Sequence, residues 1–231
     1  MNEELEFETY LSISQNQIAI YLFDIKNVKN LYEEKIVFEN YNNNLDFNNL
    51  IKFLDKNIFK IEKLVGKFIK NIFLVIEDKN VLNLFIGIKR KNYEEIINQK
   101  FLENILTDAK DLFKENYPSK KIMHIIINRY LVDENNYLFF KENLRGNDFC
   151  LEIEFKSISK NIIYDIDKIL EKFQIKIVEY LDGNYIKNFN KNNELEFSTM
   201  IYKIRYGINE NEVKLIPKNL QKKGFFEKFF Q

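Results

Sequence analysis

An α/β chain built as two lobes is predicted by three observations. Residues 9–76 offer three short strand candidates, then a long amphipathic helix, then a buried strand. Two longer strand-like runs, 122–132 and 149–158, flank a polar excursion carrying Asp133, Asn135, Asn136 and the turn 143–146. Amphipathic segments precede and follow that ribbon. Alternating or continuous apolar runs bounded by turn residues read as strands, and apolar residues spaced three and four apart read as helices.

Taken in order, residues 9–14 and 17–24 flank a turn and 35–38 is a third candidate, which together make a meander. Past the Asn-rich stretch 41–44, Phe47, Leu50, Ile51, Leu54, Ile58, Ile61 and Val65 keep helical spacing, and Gly66 suits the left-handed residue that closes a helix. Residues 72–76 read as a fully buried strand. Leu102, Ile105, Leu106, Ala109, Leu112 and Phe113 predict a helix before the ribbon, and Ile162, Ile163, Ile166, Ile169 and Phe173 predict one after it. A strand pair cannot cover its own apolar face, so both helices are expected on one side of it, as a compact α+β subdomain. Residues 174–181 then return to the first sheet and 182–193 read as a loop. Residues 195–208 are a helix candidate with Phe197, Ile201, Ile204 and Ile208 in step, and 209–221, with Lys214, Pro217 and Lys218, reads as a linker.

Composition narrows the function classes. A length of 231 residues, 45% of them apolar and 30% charged, gives a sizeable core. The 35 basic and 35 acidic residues cancel, so no global field favours nucleic acid, and any membrane contact must be local. The 22 Phe accompany many Ile, Asn and Lys and no Trp, the coding bias of an AT-rich genome rather than an aromatic ligand platform. Cys150 is the single cysteine. It excludes an internal disulfide, and its apolar strand predicts a buried, unreactive thiol. Residues 1–8 lack the basic-then-apolar pattern of a secretory signal, and the runs 72–76 and 82–88 fall far short of the roughly 20 residues that cross a bilayer.

Catalytic constellations are sparse. His124 is the only histidine, lies in a strand and has no second His or Cys to share a metal with, which favours a structural role. Asp165 and Asp167 stand two apart on a helix and do not face each other. No carboxylate pair, triad or metal cluster emerges. The C-terminus differs in kind. In 222–231, Phe225, Phe226, Phe229 and Phe230 would cover one face of a helix, with Glu227 and Lys228 opposite and Lys222 and Lys223 ahead of it. This is the pattern of a small interfacial anchor. Burying one Phe gives roughly 1.5 to 3 kcal/mol, only partly realised at a headgroup boundary, and each juxtamembrane Lys adds about 1 kcal/mol, so one copy should bind weakly and reversibly.

The run Ile122-Met123-His124-Ile125-Ile126, then Tyr130-Leu131-Val132-Asp133, then Gly146 ahead of the second strand, resembles the inserted subdomain of the bacterial actin homologue of cell division, FtsA. The resemblance extends back over most of the N-terminal part and returns weakly at the C-terminus. It implies a partial actin-like (ribonuclease H-like) lobe at 1–86 and 174–208, an inserted α+β subdomain (SHS2-like) at 87–173, and a linker with an amphipathic membrane-targeting tail at 209–231. It also implies a peripheral place on the cytoplasmic face of the inner membrane, at the septum. Partners would be division proteins and a second copy of the chain, bound through 87–158.

The superfamily's ATPase chemistry is not matched. Its first hairpin carries a carboxylate that orients the metal and a glycine that lets phosphate approach, and these positions here are Ser12 and Ser14. Its second phosphate loop and its adenosine contact use paired glycines, yet the six glycines here include no adjacent two. The second ATPase half, which carries the family's docking site for the tubulin-like ring protein, has no counterpart. The expectation is a scaffold with no catalytic residue, cofactor, metal or small-molecule substrate. A cytoplasmic pilus-platform adaptor of related fold, and an ATP-binding protein completed by another chain, are the alternatives.

Overall fold

A computed structural model describes residues 6–39, 45–141, 143–190 and 194–214. The chain divides into two units, Met1–Val81 with Lys160–Arg205, and Leu82–Ser159 with Tyr206–Gln231.

The first unit is a five-stranded sheet with helices on both faces. Strands β1 (Phe7–Ser14), β2 (Gln17–Asp24) and β3 (Lys29–Val37) form the meander, and helix α1 (Phe47–Val65) leads to β4 (Asn71–Glu77). The final strand here is β9 (Lys176–Asp182). Its order is β3-β2-β1-β4-β9, with β1, β4 and β9 mutually parallel and β2 antiparallel to β1 and β3, the ribonuclease H-like layout that the resemblance implies. β1 and β2 are buried along almost their whole length, which is why they read as near-continuous apolar runs.

Helix α1 covers the face presenting Leu22 and Tyr32, burying Leu50, Phe53, Leu54, Ile58 and Ile61, and Tyr32 donates to Asn57 Oδ1 at 2.7 Å. Its C-terminal end matches the sequence signal, with Gly66 at φ 69°, and its N-terminus is capped by Asp46, which accepts from the Asn49 N–H at 3.0 Å. The opposite face carries α5 (Phe197–Arg205), whose Phe197 and Tyr202 rings lie 6.5 and 5.3 Å from Tyr21 and Phe23.

The second unit is an antiparallel sheet in the order β5-β8-β6-β7, from β5 (Leu82–Lys91), β6 (Lys120–Val132), β7 (Asn135–Tyr137) and β8 (Asp148–Ser159). Helix α2 (Gln99–Asn116) packs Leu102, Ile105, Ala109 and Phe113 onto Phe149, Leu151, Ile153 and Phe155 of β8, with Phe113 stacked 5.1 Å from Phe155. At the tip of the ribbon, Asp133 Oδ1 accepts from the N–H groups of both Asn147 and Asp148 at 2.9 Å. A Cβ at Gly146 would overlap Val132 Cγ1, so the Val132, Asp133 and Gly146 of the resemblance motif form one physical unit.

Four expectations need correction. Helix α3 (Lys160–Glu171) falls in the first unit, not in an inserted segment 87–173, because its apolar stripe of Ile163, Ile166, Ile169 and Leu170 packs beside β9; among the described residues the second sheet is left with α2 alone. The boundary accordingly falls at 82–159. Residues 182–193 are not a plain loop: Asp182 caps α4 (Gly183–Phe189), accepting from the Asn184 N–H at 3.0 Å, and Tyr185 and Ile186 are buried. The last helix is shorter than 195–208, ending at Arg205 ahead of Gly207 at φ 84°. Residues 209–214 do not behave as a linker. Ile127 N–H donates to Asn211 O at 2.9 Å and Val213 N–H to Ile125 O at 2.8 Å, so they extend the outer edge of β6.

Candidate functional site

In open α/β sheets, ligands bind beyond the carboxyl ends of the parallel strands. Here those ends carry Ser14, Glu77, Asp78 and Asp182, and Ser14 is directly in register with Glu77. Every one of these polar groups is engaged by the chain itself. The Ser14 hydroxyl lies 2.8 Å from Asn16 Oδ1 and accepts the Gln17 N–H at 3.0 Å, so the β1–β2 turn is closed across its own mouth. Glu77 pairs with Lys187 at 2.5 Å, Asp78 accepts from the Asn80 N–H at 2.6 Å, and Asp182 caps α4. Gly183 presses so closely on β4 that a Cβ there would overlap Glu77 Cγ. Ser12 is not in the turn at all; it is buried within β1, between Ala19 of β2 and Val75 of β4. No group of His, Cys, Asp and Glu among the described residues could hold a metal ion.

The sequence reading missed a buried charge cluster in the first unit. Arg205 reaches Glu8 through Nη1 and Glu179 through Nε at 2.8 Å, with its guanidinium 3.3 Å above the Phe73 ring. Tyr10 donates to Glu8 at 2.6 Å. Burial works against the Arg205 charge, but Glu8 and Glu179 more than offset it and hold its pKa above the ordinary value. Burial, and then the Glu8 carboxylate, push the Tyr10 phenol strongly up. Glu8 and Glu179 stand too far apart in sequence from Arg205 for any spacing to signal the cluster.

In the second unit, the sheet face away from α2 is mostly polar. It carries Phe85, which is 66% exposed, a bidentate Arg129–Glu152 pair at 2.5 and 2.9 Å, and Lys156 with Glu154 at 2.8 Å. Cys150 lies on this face and is half-buried rather than buried, with its thiol pKa raised by burial and then by Glu152. His124 is a core residue: its Nδ1 is 2.7 Å from Glu212 Oε1, which Lys214 also reaches at 2.8 Å. Burial pushes the Glu212 carboxyl up, yet His124 and Lys214 outweigh it and hold it below the usual carboxylate range. The anchor residues Lys222, Lys223, Phe225, Phe226, Lys228, Phe229 and Phe230 lie outside the described residues.

No family model and no curated protein matches the chain. Solved structures similar to it include a type IV pilus biogenesis complex, PilM–PilN, at 7% identity and TM-score 0.47, over 82% of this chain and 51% of that one. A second is the cytoplasmic domain of EpsL, an inner membrane component of the type II secretion system of Vibrio cholerae, at 8% identity and TM-score 0.32, over 78% and 57%. A third is a Bacteroides thetaiotaomicron protein with an actin-like ATPase fold and unknown function, at 16% identity and TM-score 0.29, over 81% and 58%. Each is a likeness of fold, and this chain spans between 51% and 58% of their lengths.

Proposed function

We propose that the chain is a non-enzymatic scaffold with an actin-type lobe, held peripherally at the cytoplasmic face of a bacterial inner membrane and working through protein contacts of its second unit. The observation that carries this reading is the closed phosphate end. Ser14 bridges its own turn, the carboxylates at the strand ends are spent on Lys187, a turn and a helix cap, and no glycine pair is available for phosphate approach. The membrane part rests on the tail, since among the described residues no helix is long and apolar enough to cross a bilayer. The resemblance at 122–133 and Gly146 favours a division scaffold of the FtsA type. A second reading, an adaptor in a pilus or secretion assembly, is favoured by the descriptions of PilM–PilN and EpsL.

Sedimentation with anionic liposomes tests the attachment. The intact chain should sediment, more weakly as salt screens Lys222, Lys223 and Lys228, and Phe226→Glu with Phe229→Glu should abolish binding at any salt because carboxylates would have to enter the apolar boundary. Unchanged sedimentation after removal of residues 222–231 would refute the anchor. Capture from the native cell in mild detergent separates the two scaffold readings by the partner recovered, division protein or pilus and secretion component.

A further inference from the structure

The end of the first unit opposite the β1–β2 turn holds an open groove of about 1140 Å³, formed by the last turn of α1, the connection from Gly66 to Asn71 and the starts of β1 and β4. Its apolar lining includes Phe7, Phe59, Phe68, Phe73 and Val178. Phe68 is 80% exposed and Phe59 72%, an unusual outlay for side chains that each gain roughly 1.5 to 3 kcal/mol on full burial. Lys63, Lys67 and Lys70 stand around it, with Lys67 Nζ 4.8 Å above the Phe7 ring.

The lining carboxylates do not cancel these lysines. Glu8 is taken by Arg205 and Tyr10, and Glu62 Oε1 accepts the Ile69 N–H at 3.1 Å. Thr9 also lines the groove. It is 2% exposed, and among the described residues its hydroxyl has no hydrogen-bond partner, although an unsatisfied buried hydroxyl costs about 1 to 3 kcal/mol.

We propose that this groove binds an extended segment of a partner protein in which acidic residues alternate with large apolar ones, the apolar side chains seating between Phe59, Phe68 and Phe73 and the carboxylates meeting Lys63, Lys67 and Lys70. The volume exceeds the roughly 300 to 1000 Å³ of drug-sized ligand sites and suits several residues of peptide. The apolar lining is recessed within a groove rather than presented on a flat face, which suits a peptide better than a lipid surface. This docking is separate from the tail anchor, so either can fail alone.

The test uses the full chain and three labelled peptides of about twelve residues: one alternating Glu with Leu and Phe, one with Lys for Glu, and one with Ser for the apolar positions. Fluorescence anisotropy should show saturable binding of the first only. Lys67→Glu with Lys70→Glu, and separately Phe68→Ser, should each weaken it by about tenfold or more. These side chains are exposed, so circular dichroism should show unchanged melting and separate lost binding from lost folding. Equal binding of all three peptides, no binding of the first, or no effect of the substitutions would overturn the proposal. So would binding of anionic vesicles, by a chain lacking residues 222–231, that depends on Phe68 and Lys70 while the peptides do not bind.

Discussion

Glu212 has almost no exposed surface, and it keeps a depressed pKa because His124 and Lys214 face it. Removing one partner of a buried pair leaves the other uncompensated, so Glu212→Ala should destabilise the fold by about 3 kcal/mol at neutral pH. Because the folded pKa lies below the unfolded one, this contribution is fully present above the ordinary glutamate range. It is lost as pH falls through the folded value, so the wild-type advantage should shrink below about pH 4.5. Denaturant titrations of both proteins at neutral pH and at acid pH measure it, and a gap that widens on acidification would contradict the account. The isolation of His124 among residue types already argued for a structural role. Its partner could not be read, because 88 residues separate them and nothing local marks Glu212 as buried.

Elements whose apolar spacing matched one neighbour were legible, and those whose partner depended on topology were not. α1 was legible through its C-terminal cap because the three-and-four stripe and Gly66 are local signals, while the Asp46 N-cap emerges only in the structure. α3 was read as a helix but given to the wrong sheet, since its stripe fits either face and only packing beside β9 decides. α4 was missed because seven residues carry too little periodicity, and β7 because three residues carry none. Residues 209–214 look like part of a linker beside Lys214, Pro217 and Lys218, yet they pair with β6 through backbone groups that composition cannot reveal. A chain ending at residue 208 should therefore melt about 10 °C below one ending at residue 214, having lost both the β6 edge pairing and the Glu212 pair. Equal melting temperatures by circular dichroism would mean that this segment carries no structural weight.

Across the whole molecule, the β1–β2–β3 meander was legible because its strands pair with their chain neighbours, whereas β4 with β9 and β5 with β8 pair across long stretches of sequence that no local signal spans. The state of the phosphate end was legible only in part. Ser12 and Ser14 in place of a carboxylate and a glycine, and the absence of paired glycines, pointed to lost nucleotide chemistry. The mechanism of closure, with Ser14 against Asn16 and Gln17 and Glu77 held by Lys187, emerges only in three dimensions. The basic, aromatic groove at the far end of the same sheet had no sequence signal at all, since its lining comes from β1, α1, β4 and β9. We propose that the actin-type lobe serves as a scaffold whose strand ends are closed by its own side chains. Calorimetric titration of the full chain with MgATP tests this most directly: no heat of binding and no phosphate release are expected, whereas a micromolar dissociation constant with turnover would contradict it.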